Sequence, residues 1–350
     1  MYSSIPHPPT TARRPLGVVG AIIPWNFPML IIAFKLPLAL LAGNTIVLKP
    51  APTTPLTALK LGAIMSKIFP AGVVNIITDQ NDLGGRLTAH PDVAKISFTG
   101  STATGRKVMA SAAATVKRLT LELGGNDAAI ILPDVDVKKT AEAVFGAAFV
   151  NAGQTCLAIK RVYVHAAIYE PMCAALAALA EDAVVGDGLN EGTRIGPLQN
   201  KAQYEKVKGF FDDARAHGKI IAGGTVEKRR GYFLRPTIVR DISDGTKLVD
   251  EEQFGPILPI IRFADPEDAL ARANSSFLGL GGSVWSADLA AARDLAGRMD
   301  AGTIWINTHL DFGPGIPFAG AKQSGVGVEF AEEGFNEFTQ IHVINTAKPA

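Results

Sequence analysis

The strongest constraint on how this chain can fold is the alternation of short, almost wholly apolar runs with helical patterns. Residues 17–23 read as a buried strand and 27–41 as a helix. Strand 45–48 is followed by a helix over 55–68, strand 73–77 by 83–89, and strand 95–98 by 103–113, before a fifth strand at 117–121. Strands apolar along their whole length are buried on both faces, and helices between them cover those faces of a parallel sheet. The expected fold class is therefore α/β, beginning with a doubly wound parallel sheet. Ligands of such sheets bind outside the carboxyl ends of the strands.

The alternation resumes after Gly124 and Gly125. Strands are expected at 128–131, 161–164, 236–239, 257–261, 281–284 and 302–306, with helices at 137–150, 168–180, 201–216, 266–273 and 289–299. This gives a first domain over 15–124 and a second α/β domain over 125–325. The stretches 1–14 and 338–350 form a small terminal element, and its strand-like run 340–344 needs a partner.

With 350 residues, 47% hydrophobic and only 19% charged, the chain can fill two cores and is not a disordered polymer. A net charge of +1 gives no reason to expect nucleic acid or an anionic membrane as partner. The longest apolar run, 27–42, is broken by Lys35 and Pro37 and is shorter than the ~20 residues a bilayer needs. It reads as a buried core helix. Residues 1–14 lack the apolar core of a signal peptide, and two cysteines suit a reducing compartment, so a cytoplasmic location is expected.

Cys156 stands behind the polar, glycine-containing loop Asn151-Ala152-Gly153-Gln154-Thr155. Substrate can reach such a loop and backbone N–H groups beside the thiol can lower its pKa, or the residue is a chance cysteine in a connection. Cys173, in an apolar helical run, reads as buried. Gly100, Ser101, Thr102 and Gly105 form a glycine turn between strand and helix, a place for a phosphate or simply an N-capped turn. Lys49, after the second strand, can hold a ribose or phosphate or be solvated. Glu122 closes the fifth strand as a general base if poorly solvated, or as an acid beside a turn. Pro24 and Pro28 pin Trp25, Asn26 and Phe27, making the Asn26 amide a fixed donor for an oxyanion. No metal site is expected.

Seven segments, in this order, resemble the aldehyde dehydrogenase superfamily. They are Pro24 to Pro28, Lys49-Pro50-Ala51, Phe98 to Thr102 with Gly105, Leu121 to Asn126, Asn151 to Cys156, Glu252 to Pro256, and Pro317-Phe318 leading to Lys322 and Gly325. The resemblance implies NAD- or NADP-dependent oxidation of a small-molecule aldehyde. Cys156 would be the nucleophile, Asn26 and the Cys156 N–H the oxyanion donors, and Glu122 the base that hydrolyses the thioester. Ile22, Trp25, Lys49, Gly100, Ser101, Thr102, Gly105, Leu123, Glu252 and Phe254 would bind the cofactor, with Gln203 and Lys206 near its adenosine half. Phe27, Phe34, Phe312 and Phe318 would line the substrate tunnel. Strands near 5–13 and 340–344 would form a homodimer or tetramer.

Three departures stand out. Family members commonly carry a substantial region before the point matching Ile5. Pro52 stands where many NAD-preferring members have a glutamate, which leaves NADP open. Ala319 replaces a usual glycine. Two other readings stand beside the leading one: a non-catalytic interaction module, and a coenzyme-A-acylating enzyme that generally lacks the Glu122 carboxylate. His309 and Asp311 hint at a polar substrate, with solvated loop residues the blander and favoured reading.

Overall fold

The computed structural model describes residues 10–227 and 229–346. The parts of the expected terminal element at 1–9 and 347–350 lie outside the described residues. The chain forms two compact units, one of residues 1–121, 313–318 and 327–350, the other of 122–312 and 319–326.

The first unit opens with β1 (Thr10–Pro15) and β2 (Val18–Ile22), followed by α1 (Pro28–Leu41), β3 (Thr45–Lys49), α2 (Leu56–Met65) and β4 (Val74–Ile76). After α3 (Leu83–Ala89) come β5 (Val93–Thr99), α4 (Thr102–Ala112) and β6 (Arg118–Glu122). The five strands and four helices anticipated from the apolar alternation are all present. Their sheet has the order β6-β5-β2-β3-β4, with β5–β2, β2–β3 and β3–β4 parallel. Val19, Ala21, Ile46 and Leu48 are fully buried and pack with Ile32, Leu36 and Ala39 of α1. That helix is not buried all round as expected: Leu41 is 76% exposed, and Met29 and Leu30 also face outward. Ile22 sits opposite both Lys49 and Phe98, so the carboxyl ends of β2, β3 and β5 lie level.

The second unit runs through β7 (Asp127–Ile131), α5 (Val137–Phe149), β8 (Ile159–His165), α6 (Tyr169–Asp182), α7 (Lys201–His217) and β9 (Lys219–Ala222). It continues with β10 (Thr237–Arg240), α8 (Lys247–Asp250), β11 (Ile257–Phe263), α9 (Pro266–Asn274), β12 (Leu278–Gly279) and β13 (Gly281–Trp285). Last come α10 (Leu289–Arg298), β14 (Thr303–Ile306), β15 (Ala321–Lys322) and β16 (Gly325–Val326). The main sheet has the order β14-β13-β7-β8-β11-β10-β9 and is parallel except for β9, which runs antiparallel to β10. The sequence reading missed β9. It follows α7 after a single residue, Gly218, where a Cβ would meet the Arg240 carbonyl at 3.1 Å. Cys173 is buried on α6, as expected.

The chain then returns to the first unit as α11 (Ala331–Asn336) and β17 (Thr339–Ile344). β17 pairs antiparallel with β1, from Thr10 opposite Ile344 to Pro15 opposite Thr339. Two buried lysines fasten this returning segment. Lys35 is ion-paired with Glu329 and donates to Ser97 Oγ at 2.9 Å. Lys95 donates to Thr120 Oγ1 at 2.5 Å, lies 3.7 Å from Glu337 and sits over the Phe338 ring.

Burial pushes the Lys95 ammonium down to about 8, and the nearby Glu337 carboxylate only partly opposes it. An unfolded lysine keeps its proton to a higher pH, so between those limits the unfolded chain binds more protons and stability rises with pH. Relative to Lys95→Met, the native chain should therefore gain stability as pH climbs from about 8 towards 10.5, by roughly 3 kcal/mol at most. Urea midpoints measured across that range check it. A flat difference would show that the ammonium is not held as described.

Candidate active site

Glu122 is the last residue of β6 and is only 6% exposed, so it is not the solvated acid that its place beside a turn allowed. Leu123, Gly124 and Gly125 carry the chain into β7. Leu123 N–H donates to the Ser324 carbonyl at 2.9 Å, and Ser324 Oγ donates to the Gly124 carbonyl at 2.6 Å. Gly125 is required by close approach to backbone, whereas a side chain at Gly124 would displace the Glu252 carboxylate. A Cβ on Gly124 would meet Glu252 Oε2 at 2.6 Å, and one on Gly125 would meet the Cys156 carbonyl oxygen at 2.6 Å. Gly125 N–H donates to Glu252 Oε1 at 3.0 Å, and Lys160 Nζ lies 3.7 Å from the same oxygen.

The loop before Cys156 has three consecutive left-handed residues, Asn151, Ala152 and Gly153, with φ of 50°, 56° and 73°. Such conformations persist only where the surroundings enforce them. Here Gln154 Nε2 donates to the Asn151 carbonyl at 3.0 Å, and its Oε1 accepts from Gln199 N–H at 2.9 Å. Beyond the loop, Ala158 N–H donates to the Thr155 carbonyl and Lys160 Nζ to the Cys156 carbonyl, at 3.1 and 2.6 Å.

Cys156 keeps some exposure, and Glu122 is its carboxylate neighbour. Burial, together with the charge and hydrogen bonding of Glu122, pushes the thiol well above its ordinary value, against a weaker opposing effect of Lys160. The expectation that loop N–H groups lower this thiol is thus reversed. Desolvation and a carboxylate both disfavour the thiolate, and together they outweigh the loop dipoles. A thiol in this setting needs an acceptor for its proton, and Glu122 is the group in place to take it.

The segment carrying Glu252 is heavily braced. Phe254 has a φ of 54°. Gln203 Nε2 donates to the carbonyls of Gln253 and Phe254 at 3.0 and 2.7 Å, and Lys206 Nζ donates to that of Glu252 at 2.9 Å. Gln203 and Lys206 thus spend polar atoms holding this loop.

In the first unit, Ile22, Trp25 and Asn26 are half-buried at the carboxyl end of β2. Lys49 is not solvated: it is 4% exposed and donates to Asp79 Oδ1 at 2.8 Å. Burial works to raise the Asp79 carboxyl, but the hydrogen bonds from Lys49 and Leu83 N–H prevail and lower it. Ser101 caps α4, its Oγ accepting from Thr104 N–H at 3.3 Å, while Thr102 begins the helix and Gly105 is buried in its first turn. Gly100 packs on Phe98, whose ring a Cβ would meet at 2.5 Å. Phe34 meets Phe330 edge-on at 4.3 Å, and Phe318 lies 6.3 Å from that ring. Phe27 packs on the first unit's core, while Phe312 belongs to the second unit.

The blander reading of His309 fails. It is 9% exposed, its Nε2 lies 2.8 Å from the Leu157 carbonyl, and its ring lies 4.6 Å from that of Trp305. Asp311 is exposed, and its carbonyl accepts from Trp305 Nε1 at 2.6 Å. Sequence reasoning also missed Asp127, Gln154, Lys160 and Ser324. Asp127 left one signal, a charge in the otherwise apolar run 127–131, and buried charges require partners.

No helix among the described residues is long and apolar enough to cross a membrane, and no group of side chains among them is placed to hold a metal ion. A cysteine facing a buried carboxylate beside braced, glycine-lined backbone is an arrangement that suits nucleophilic chemistry at sulfur.

The aldehyde dehydrogenase family model matches residues 4–344. The chain is 42% identical over 348 residues to the phenylacetaldehyde dehydrogenase of Pseudomonas fluorescens, covering 96% of this chain and 69% of that protein. The crystal structure of a Mycobacterium tuberculosis aldehyde dehydrogenase complexed with NAD+ superposes with a TM-score of 0.94 at 38% identity, over 96% of this chain and 70% of that one. An NADP-dependent enzyme of E. coli superposes with a TM-score of 0.93 at 38% identity, over 95% and 70%. The chain belongs to the aldehyde dehydrogenase family and is an oxidoreductase of aldehydes.

Proposed function

We propose that the chain oxidises an aldehyde to a carboxylate with NAD or NADP through covalent catalysis at Cys156. The observation that carries this reading is the Glu122 carboxylate against the Cys156 thiol. As the sulfur adds to the aldehyde carbon, Glu122 takes the thiol proton, and the carbonyl oxygen becomes an oxyanion. The Cys156 N–H and the proline-pinned Asn26 amide are its proposed donors. When bound, the nicotinamide supplies the two-electron acceptor for oxidation to the thioester. After releasing its proton, Glu122 draws one from water, hydroxide adds to the thioester, and carboxylate leaves with Cys156 regenerated.

The residues present fit a dinucleotide. The first turn of the 11-residue α4 leaves backbone N–H groups for a pyrophosphate, with Gly100, Ser101 and Gly105 around it. Lys49, positioned by Asp79, is a donor for ribose hydroxyls or a 2′-phosphate. Ile22, Trp25, Thr102, Leu123, Glu252 and Phe254 complete the proposed cofactor contacts, with Gln203 and Lys206 bracing Glu252 and Phe254. Both dinucleotides are kept because structural neighbours include an NAD+ complex and an NADP-dependent enzyme. Phe27, Phe34, Phe312 and Phe318 are the proposed aldehyde lining. The 15–124 segment is the proposed cofactor domain and 125–325 the catalytic one. The β1–β17 ribbon, with Ile341, Val343 and Ile344 about half exposed, is the proposed contact between copies in a dimer or tetramer.

Absorbance of reduced nicotinamide, followed over an aldehyde panel with each dinucleotide, tests this reading. Glu122→Gln should slow the first turnover, for want of the acceptor of the thiol proton, and then stall roughly 100-fold or more below the native rate, with thioester visible by mass spectrometry. Removing that carboxylate's charge should also move iodoacetamide alkylation of Cys156 to lower pH. An unmoved profile would show that Glu122 does not act on the thiol. Turnover that requires coenzyme A would favour the acylating reading. A folded chain that binds neither dinucleotide would favour the non-catalytic one.

A further inference from the structure

Three carbonyls follow one another around the nucleophile, and each has a different partner. The Thr155 carbonyl accepts from Ala158 N–H and the Cys156 carbonyl from Lys160 Nζ. The Leu157 carbonyl accepts from His309 Nε2 at 2.8 Å. The first two partners are close in sequence to Cys156. The third comes from the loop after β14.

That loop is itself rigid. Asn307 and Leu310 have φ of 56° and 64°. Asn307 Oδ1 accepts from Ser286 N–H at 2.9 Å, and its Nδ2 donates to the Ser286 carbonyl at 2.7 Å. Trp305 Nε1 donates to the Asp311 carbonyl. His309 is therefore held from both sides, with its ring on Trp305.

Near the same ring nitrogen lies Asp127. The side chains of Asp127 and His309 are both 0% exposed, and Asp127 Oδ2 is 3.6 Å from Nε2. Asp127 Oδ1 accepts from Gly281 N–H at 3.2 Å. Space for the carboxylate exists because residue 281 is glycine: a Cβ there would meet Asp127 Oδ2 at 2.5 Å, Trp305 at 2.8 Å and Leu157 at 3.2 Å. Because the 2.8 Å partner of Nε2 is a carbonyl oxygen, Nε2 must carry the proton. The carboxylate, 3.6 Å from the same nitrogen, favours a proton on it by charge rather than by a hydrogen bond.

We infer that His309 is a positioning residue for the nucleophile: with Asp127 beside its Nε2, it clamps the Leu157 carbonyl and so fixes the turn that carries Cys156. This rests on Cys156 being the nucleophile proposed above. It assigns a role to a residue that touches neither the thiol nor Glu122 in the contacts described. Displacing a catalytic group by about 1 Å costs on the order of 100-fold in rate, so a clamp next to the nucleophile acts on turnover more than on binding.

The test compares His309→Phe with His309→Gln in the full chain. The Phe variant keeps a ring on Trp305 and loses the donor. Its kcat should fall about 30- to 100-fold, with KM for aldehyde and dinucleotide within about 3-fold, and iodoacetamide alkylation of Cys156 should slow about 10-fold. The Gln variant places an amide N–H at the position of Nε2 and should recover to within about 5-fold of the native rate. If the Phe variant does not fold, His309→Asn, whose amide is too short for the carbonyl, takes its place with the same expectation.

Native kcat and alkylation in a folded donorless variant overturn the inference. So does a Gln variant no better than the donorless one. Cys156→Ala separates the two levels. If it stays active, the nucleophile assignment fails; if it is inert while His309→Phe is unaffected, only the clamp fails.

Discussion

Cys156→Ala should abolish dehydrogenase turnover, by roughly 10⁴-fold or more, while leaving the chain folded and able to bind dinucleotide. The magnitude follows from the proposed chemistry: without sulfur no covalent adduct forms, and the remaining donors act only on a free aldehyde. The methyl of alanine occupies the space of the cysteine Cβ, so packing is nearly conserved. Removing the sulfur also leaves Glu122 without the thiol it faces. Thermal melting should therefore be native or slightly lowered and dinucleotide fluorescence quenching native, while nicotinamide reduction is lost. A variant that retains full activity would place the chemistry elsewhere.

Glu329→Leu should cost about 3–5 kcal/mol, the usual result of leaving one member of a buried ion pair behind. Lys35 is 0% exposed and its other hydrogen-bond partner is the Ser97 hydroxyl, which cannot neutralise an ammonium. The double variant Lys35→Met, Glu329→Leu should recover most of the loss, because two apolar side chains of similar volume need no compensation. Urea midpoints of the native chain, both single variants and the double variant close the cycle. Additive losses, with no recovery in the double variant, would show that the pair is not coupled. The effect should extend to the whole returning segment, since Glu329 precedes α11 and β17.

Much of the fold was legible because it depends on local pattern. Apolar strands such as β7 and β13 are buried at every position, and helices with N-caps such as Asp136, Asn200 and Asp288 begin where the sequence announces them. The elements that escaped are short or set by distant contacts. β12, β15 and β16 have two residues each, too few for a period, and α8 and α11 have four and six. The site was legible as residue types and chain order, not as geometry. Glu122 looked like an acid beside a turn because nothing in residues 117–125 reveals that Cys156 and Glu252 close over Gly124 and Gly125. The direction of the thiol shift was misread for the same reason. Local N–H groups are visible in sequence, whereas a carboxylate from another strand is not. His309 looked like a solvated loop residue because its partners, Asp127 and Leu157, lie more than 150 residues upstream.

The pairing of β1 with β17 carries a consequence for biosynthesis. Residues 10–15 leave the ribosome well before their hydrogen-bonding partners at 339–344, which follow only after almost the whole second unit has been made. The second unit, by contrast, is almost complete by residue 312. Closing so long a loop is slow, and an unpaired strand edge invites association in the meantime. The nucleophile and its carboxylate should therefore be assembled on the nascent chain before the ribbon closes. The interval between the two is when β1 most needs shielding by a chaperone.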